Sequence, residues 1–141
     1  MADFIAPAVD WLVGLLQNMT PPDGMDAFGD VKKSWTWAPL NWPPAAAMPR
    51  TTDFDENSGD VHQVHQFTVK FGVQDADPDQ LTVKAMAYMK AIDGAIAAGV
   101  WLASFRKVFV HRHDYGALFE KGGSWARFPE LHLEIEAREL P

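Results

Sequence analysis

The chain has 141 residues, 48% of them hydrophobic and 22% charged, a globular composition rather than a disordered one. Its formal charge of −7 argues against a protein that grips nucleic acid through phosphates, though an acidic wall suits one that lets nucleic acid slide past. It has no cysteine, which excludes disulfides and thiolate metal sites. At this length a single domain, 1–141, is the simplest organisation, burying roughly two-thirds of its unfolded surface.

Met1-Ala2-Asp3-Phe4 lacks the positive region of a signal peptide, and Pro7 and Asp10 interrupt the apolar run behind it. No stretch reaches the ~20 apolar residues of a membrane span. The expectation is a soluble protein made in the cytoplasm, leaving it only inside an assembly.

Ile5, Val9, Leu12, Val13 and Leu16 recur at helical spacing, which predicts a first helix from about Pro7 to Met19. Thr20-Pro21-Pro22-Asp23-Gly24 ends it. From about 20 to 60 the chain reads as irregular, with six of its ten prolines and Trp35, Trp37 and Trp42. Val31 to Trp37 suits an edge strand, since the following prolines cannot donate to a sheet ladder. Thr51 to Asp60, with Asp53, Asp55 and Glu56, reads as a mobile acidic loop.

Val61 to Gln74 reads as a long strand, because Phe67, Val69, Phe71 and Val73 alternate with Thr68, Lys70 and Gly72. A second helix follows with every signal in agreement. Asp77 is the N-cap, Pro78 suits the first helical position, and Gln80 stands where a capping-box partner belongs. Leu81, Ala85, Tyr88, Met89, Ile92 and Ile96 form its stripe, and Gly99 stops it.

Phe105 to His113 predicts another strand, with Val108 and Val110 on one face and Phe109, His111 and His113 on the other. Lys121-Gly122-Gly123 marks a turn. In the last strand Leu131, Leu133, Ile135 and Ala137 alternate with His132, Glu134, Glu136 and Arg138. The fold class expected is α+β, a mostly antiparallel sheet of about four strands with two helices packed on one face.

Candidate chemistry is sparse. His111 and His113, on one predicted strand face beside Asp114, suggest a histidine–carboxylate metal site, but no recognised metal spacing occurs and polar-face or interface histidines are the commoner use. Glu134 and Glu136 on one face suit an acid–base pair, a pore lining, or simply a solvated strand face. No serine lies in a nucleophile-elbow context, and Gly122-Gly123-Ser124 lacks the Lys-Ser/Thr of a phosphate loop. The expectation is no catalytic residue, no cofactor and no metal. The tryptophans fold back over the chain's own sheet or lie in a subunit interface.

The order of elements, with Phe67-Thr68-Val69-Lys70-Phe71-Gly72-Val73, the helix entry Asp75-Ala76-Asp77-Pro78-Asp79-Gln80-Leu81 and the His113-Asp114-Tyr115-Gly116 strand end, resembles the tail terminator (tail-completion, minor tail protein U-like) proteins of long-tailed bacteriophages and gene transfer agents. The resemblance implies a non-enzymatic virion protein of the tail and neck. It would form a ring, most simply a hexamer, that ends tail-tube polymerisation and offers the surface to which the head joins. Its implied partners are further copies of itself, the major tail tube protein, a head-connector or stopper protein, and genomic DNA passing without specific binding, with no membrane. Interface candidates on this reading are Trp35, Trp37, Trp42, Asp53, Asp55, Glu56, His111, His113 and Tyr115, and pore-lining candidates are Glu134 and Glu136. The rival readings are another neck protein (head-completion or stopper), a small metal-dependent hydrolase built on His111 and His113, and a regulatory binding module.

Overall fold

A computed structural model describes residues 3–35, 41–55 and 62–138. Helix α1 spans Ile5–Asn18. Its first turn is held by Asp3, whose carboxylate accepts from the Ile5 N–H at 2.9 Å, so the helix starts before Pro7. It buries Ala8, Val9, Leu12 and Leu16.

Helix α2 spans Pro78–Ala98 and buries the six stripe residues read from the sequence. Asp77 accepts from the Asp79 N–H at 2.9 Å, and the Gly99 N–H closes on Ile96 O. The reciprocal half of the capping box is not formed by Gln80. The Asp77 N–H instead donates to Asp75 Oδ1 at 2.9 Å.

The strands among the described residues are β1 (Asp30–Lys32), β2 (Pro44–Asp55), β3 (His62–Phe71), β4 (Val73–Asp75), β5 (Phe105–Asp114), β6 (Phe119–Lys121), β7 (Ser124–Arg127) and β8 (Glu130–Arg138). They form two sheets, one ordered β1-β2-β3-β8-β5 and one ordered β4-β7-β6. Only the β1–β2 pairing is parallel. The class is α+β and mostly antiparallel, but the expected four strands are eight in two sheets. Both helices build the core on the larger sheet, yet α2 also packs against β4 and β7, so the helices do not simply cover one face of one sheet.

Two further expectations are corrected. The region 20–60 is not irregular throughout: β2 runs through it, with Pro44 at its first position and Pro49 at a bulge. Its Ala45, Ala46 and Ala47 are buried, where small side chains let the core close tightly while carrying little strand signal of their own. Likewise Thr51 to Asp55 is strand, with Thr51 to Asp55 opposite Gln66 to His62, while 56–61 lie outside the described residues. Of the edge strand read over Val31 to Trp37, Val31 and Lys32 lie in the three-residue β1, and 36–37 lie outside the described residues.

The long strand read over Val61 to Gln74 is broken at Gly72, where the chain passes from the large sheet to the small one. A Cβ on Gly72 would lie 3.0 Å from the Trp42 ring and 3.2 Å from the Phe128 ring, so the crossing is tightly packed against both rings. Gly122 and Gly123 both take left-handed conformations (φ 60° and 82°) and close the β6–β7 hairpin, the pattern of a two-residue turn.

The core joins Ala8, Leu12, Phe67, Val69, Phe71, Leu131, Leu133 and Ile135 to the stripe of α2. Among the described residues no helix is long and apolar enough to cross a membrane.

Candidate functional site

The face of the large sheet turned away from the core carries the polar members of each alternating strand. From β8 come His132, Glu134 and Glu136, and from β3 Thr68 opposite His132, Gln66 opposite Glu134, and Lys70 opposite Glu130. β2 contributes Asp53 and Arg50, the latter in the bulge between Pro49 and Thr51. β5 contributes Phe109, opposite Glu134, and Arg112, opposite His132.

These side chains form a cross-strand network. Arg50 donates to His132 Nδ1 at 2.9 Å, and Thr68 Oγ1 lies 3.1 Å from the same nitrogen. A guanidinium only donates, so Nδ1 holds a lone pair and the neutral ring carries its proton on Nε2. Burial, and then the neighbouring Arg50 charge, lower the His132 pKa from its ordinary value. Beside it His111 Nε2 donates to Gln66 Oε1 at 3.0 Å, and Gln66 in turn donates to Glu134 Oε1 at 2.8 Å. The rings of Phe109, His111 and His132 stack in file, with centroid steps of 6.3 and 6.4 Å, and the Lys107 ammonium lies 5.1 Å from the Phe109 ring centre.

His111 and His113 do not share a face. A register shift between Val110 and Arg112 inserts a residue into β5, so the strict two-residue alternation fails there. His111 stays on the open face, whereas His113 turns to the helix side and pairs with Asp93 of α2, Nε2 to Oδ2 2.9 Å. Among the described residues no three histidine or carboxylate side chains gather into a metal-sized cluster.

The tryptophans form a second locality at the junction of the sheets. Trp35 meets Phe128 edge-on at 5.6 Å and lies under the Lys70 ammonium at 5.1 Å. Trp42 packs on the same Phe128 at 6.0 Å, as does the half-exposed Phe119 at 5.9 Å. Trp35 Nε1 is buried with no hydrogen-bond partner among the described residues. Trp37, Glu56 and the Asp55 side chain lie outside the described residues. Tyr115 is exposed just beyond β5, Asp53 is exposed on β2, and Glu134 and Glu136 are half-buried on the open face.

The large sheet also has two open edges. Among the described residues β5 is its last strand, paired only with β8. At the other side β1 covers only Pro44 to Ala46 of β2, so among the described residues no strand pairs with the outer side of Thr51 to Asp55.

No family model matches the sequence, and no curated protein matches it. Among solved structures, a chain of the "Virion of native gene transfer agent (GTA) particle" matches with a TM-score of 0.59 and 16% identity, over 98% of this chain and 87% of that one. The two chains share a fold. At that identity the likeness is one of architecture, extending through both sheets and both helices rather than through a local motif.

Arg50, Gln66, Thr68, Phe109 and Arg112 were not among the sequence-derived candidates. Strand alternation places Gln66 and Thr68 on the polar face of β3. Arg50 carries no such signal, because it owes its position to the β2 bulge.

Proposed function

We propose that this chain is a non-enzymatic structural protein of a phage-like virion, which caps the tail tube as a ring and forms part of the head–tail joint. The observation that carries the reading is the shared fold with a gene-transfer-agent virion chain, near complete in both directions. That fold agrees with the terminator-like order of elements in the sequence.

Three physical features support it. A closed ring needs a heterologous interface, and the large sheet has two different open edges to make one. A channel for DNA must not grip phosphate tightly, and a net charge of −7 over the whole chain is in keeping with that. The polar network of the open face is tied within the chain, with Glu134 held by Gln66 and His132 by Arg50, as suits a wall rather than a reaction centre. In this reading the ring is most simply a hexamer, and Glu134 and Glu136 face the channel. The tube protein and a head-connector protein bind its two ends, and the protein resides in the virion.

The test is tube polymerisation. Added to polymerising tail tube protein, the chain shortens the tubes and stops growth at one end. Tubes that grow unchanged while the chain binds head connectors would assign it to another neck position. Tubes and connectors both left unbound would overturn the virion reading.

A further inference from the structure

The two open edges of the large sheet differ in charge. β5 carries Arg106, Lys107 and Arg112, with His111 and His113, against the single carboxylate of Asp114, in a chain whose total charge is −7. The uncovered half of β2, Thr51 to Asp55, carries Asp53 and Asp55 and no cationic residue. Its proline-free backbone is regular beyond the bulge at Pro49, which leaves its N–H groups able to donate. Exposed apolar side chains accompany both edges, Phe109 on β5 and Phe54 on β2, at 49% and 57% exposure.

Strand direction makes the two edges compatible. β2, β3, β8 and β5 alternate in direction across the sheet, so β5 runs opposite to β2. Rotation about an axis along the strands keeps every strand's direction from one copy to the next. A β5 edge brought beside the β2 edge of a neighbouring copy therefore meets it antiparallel, the pairing that well-aligned ladder bonds favour.

We infer that the subunit joint is a β-sheet extension in which the cationic β5 edge of one copy pairs with the acidic Thr51–Asp55 edge of the next. The inference rests on the ring reading above and names its interface. Each joint uses one edge of each kind, so it propagates head to tail and closes when the rotation does. On the open face Asp53 of one copy faces the cationic side chains of the next copy's β5, with Lys107 and Arg112 the candidates. Opposite charge at such an edge steers the encounter and fixes its register, while like charge disfavours it. The Arg112–Asp114 contact within β5, at 3.6 Å, leaves the guanidinium exposed for a second partner.

The test uses two full-length variants and native mass spectrometry. Asp53→Lys puts a cation opposite the neighbour's Lys107 and Arg112, and Lys107→Glu with Arg112→Glu puts two carboxylates opposite Asp53. Each preparation alone is expected to lose about tenfold or more of the wild-type ring yield. An equimolar mixture is expected to recover it to within about twofold, in rings that alternate the two chains. Circular dichroism checks that both variants fold. Wild-type rings with variants that assemble equally well alone, or a mixture that stays unassembled, would overturn the β5–β2 joint and leave the ring reading standing. A wild-type chain that forms no ring alone or on tail tubes would overturn both.

Discussion

His113 Nε2 lies 2.9 Å from Asp93 Oδ2 on the helix side of the sheet, while His111, two residues earlier on the same strand, donates to Gln66 on the opposite face. One inserted residue in β5 separates them, and it removes the shared face on which a two-histidine metal site would depend. What remains is a cross-strand network and a strand-to-helix tie. The tie is partly exposed on both sides, so His113→Ala is expected to cost at most about 1 kcal/mol. A double-mutant cycle with Asp93→Asn, read by denaturant unfolding, checks it. A much larger coupling would mean the pair is more deeply shielded than its exposure indicates.

The faces of β8 give a sharper contrast. Leu133 is fully buried and Glu134 is half-buried on the open side. Leu133→Ala is expected to destabilise by roughly 2–5 kcal/mol. Glu134→Ala loses one hydrogen bond from Gln66 and is expected to cost about 1 kcal/mol or less. Equal losses in urea unfolding would mean the strand's faces are wrongly assigned.

Much of this was legible because helix and strand periods are strong wherever burial is one-sided. The α2 stripe and its Asp77 cap, and the alternation of β8, follow directly from residue spacing. The failures have a common origin in departures from regular spacing. β2 was hidden by its alanines and prolines, and the bulges at Pro49 and Val110 displaced Arg50 and His113 from where alternation would put them. The small sheet carries no such signal, because β4, β6 and β7 are three or four residues long, too short to show a period.

Gly72 is where the chain leaves one sheet for the other, under the Trp42 and Phe128 rings. In Gly72→Ala the new methyl group would press into ring carbons at 3.0 and 3.2 Å. Both rings must shift, and the expected cost is about 1–3 kcal/mol in thermal or urea unfolding. Enlarging the site by combining it with Trp42→Leu should recover part of that loss. Strict additivity of the two changes would show that the rings do not restrain this position.

Acid should weaken the fold through two buried imidazoles. His65 is held by Thr52 Oγ1 at Nδ1 (2.8 Å), its Nε2 is buried without a partner, and burial lowers its pKa against the opposing pull of Asp3. His132 is lowered by burial and then by Arg50. Because both folded values lie below 6.5, the unfolded chain binds more protons as pH falls through that value. Unfolding free energy should therefore rise with pH across this window and fall as the solution is acidified, by up to ~1.4 kcal/mol per pH unit for each histidine. The loss levels off once the folded rings themselves protonate. Urea midpoints from pH 5 to 8 test this, and His132→Asn should flatten the slope. A slope of opposite sign would contradict the buried neutral assignment.

The proposed role requires that this fold assemble as a closed ring on a tail tube. Native mass spectrometry of the full chain over a concentration series, alone and after incubation with tail tubes, would reveal such a ring. The expected result is a discrete closed species, most simply at six times the chain mass, formed freely or released from tube ends. A chain that stays monomeric or dimeric throughout, with no mass recovered from the tubes, would contradict it.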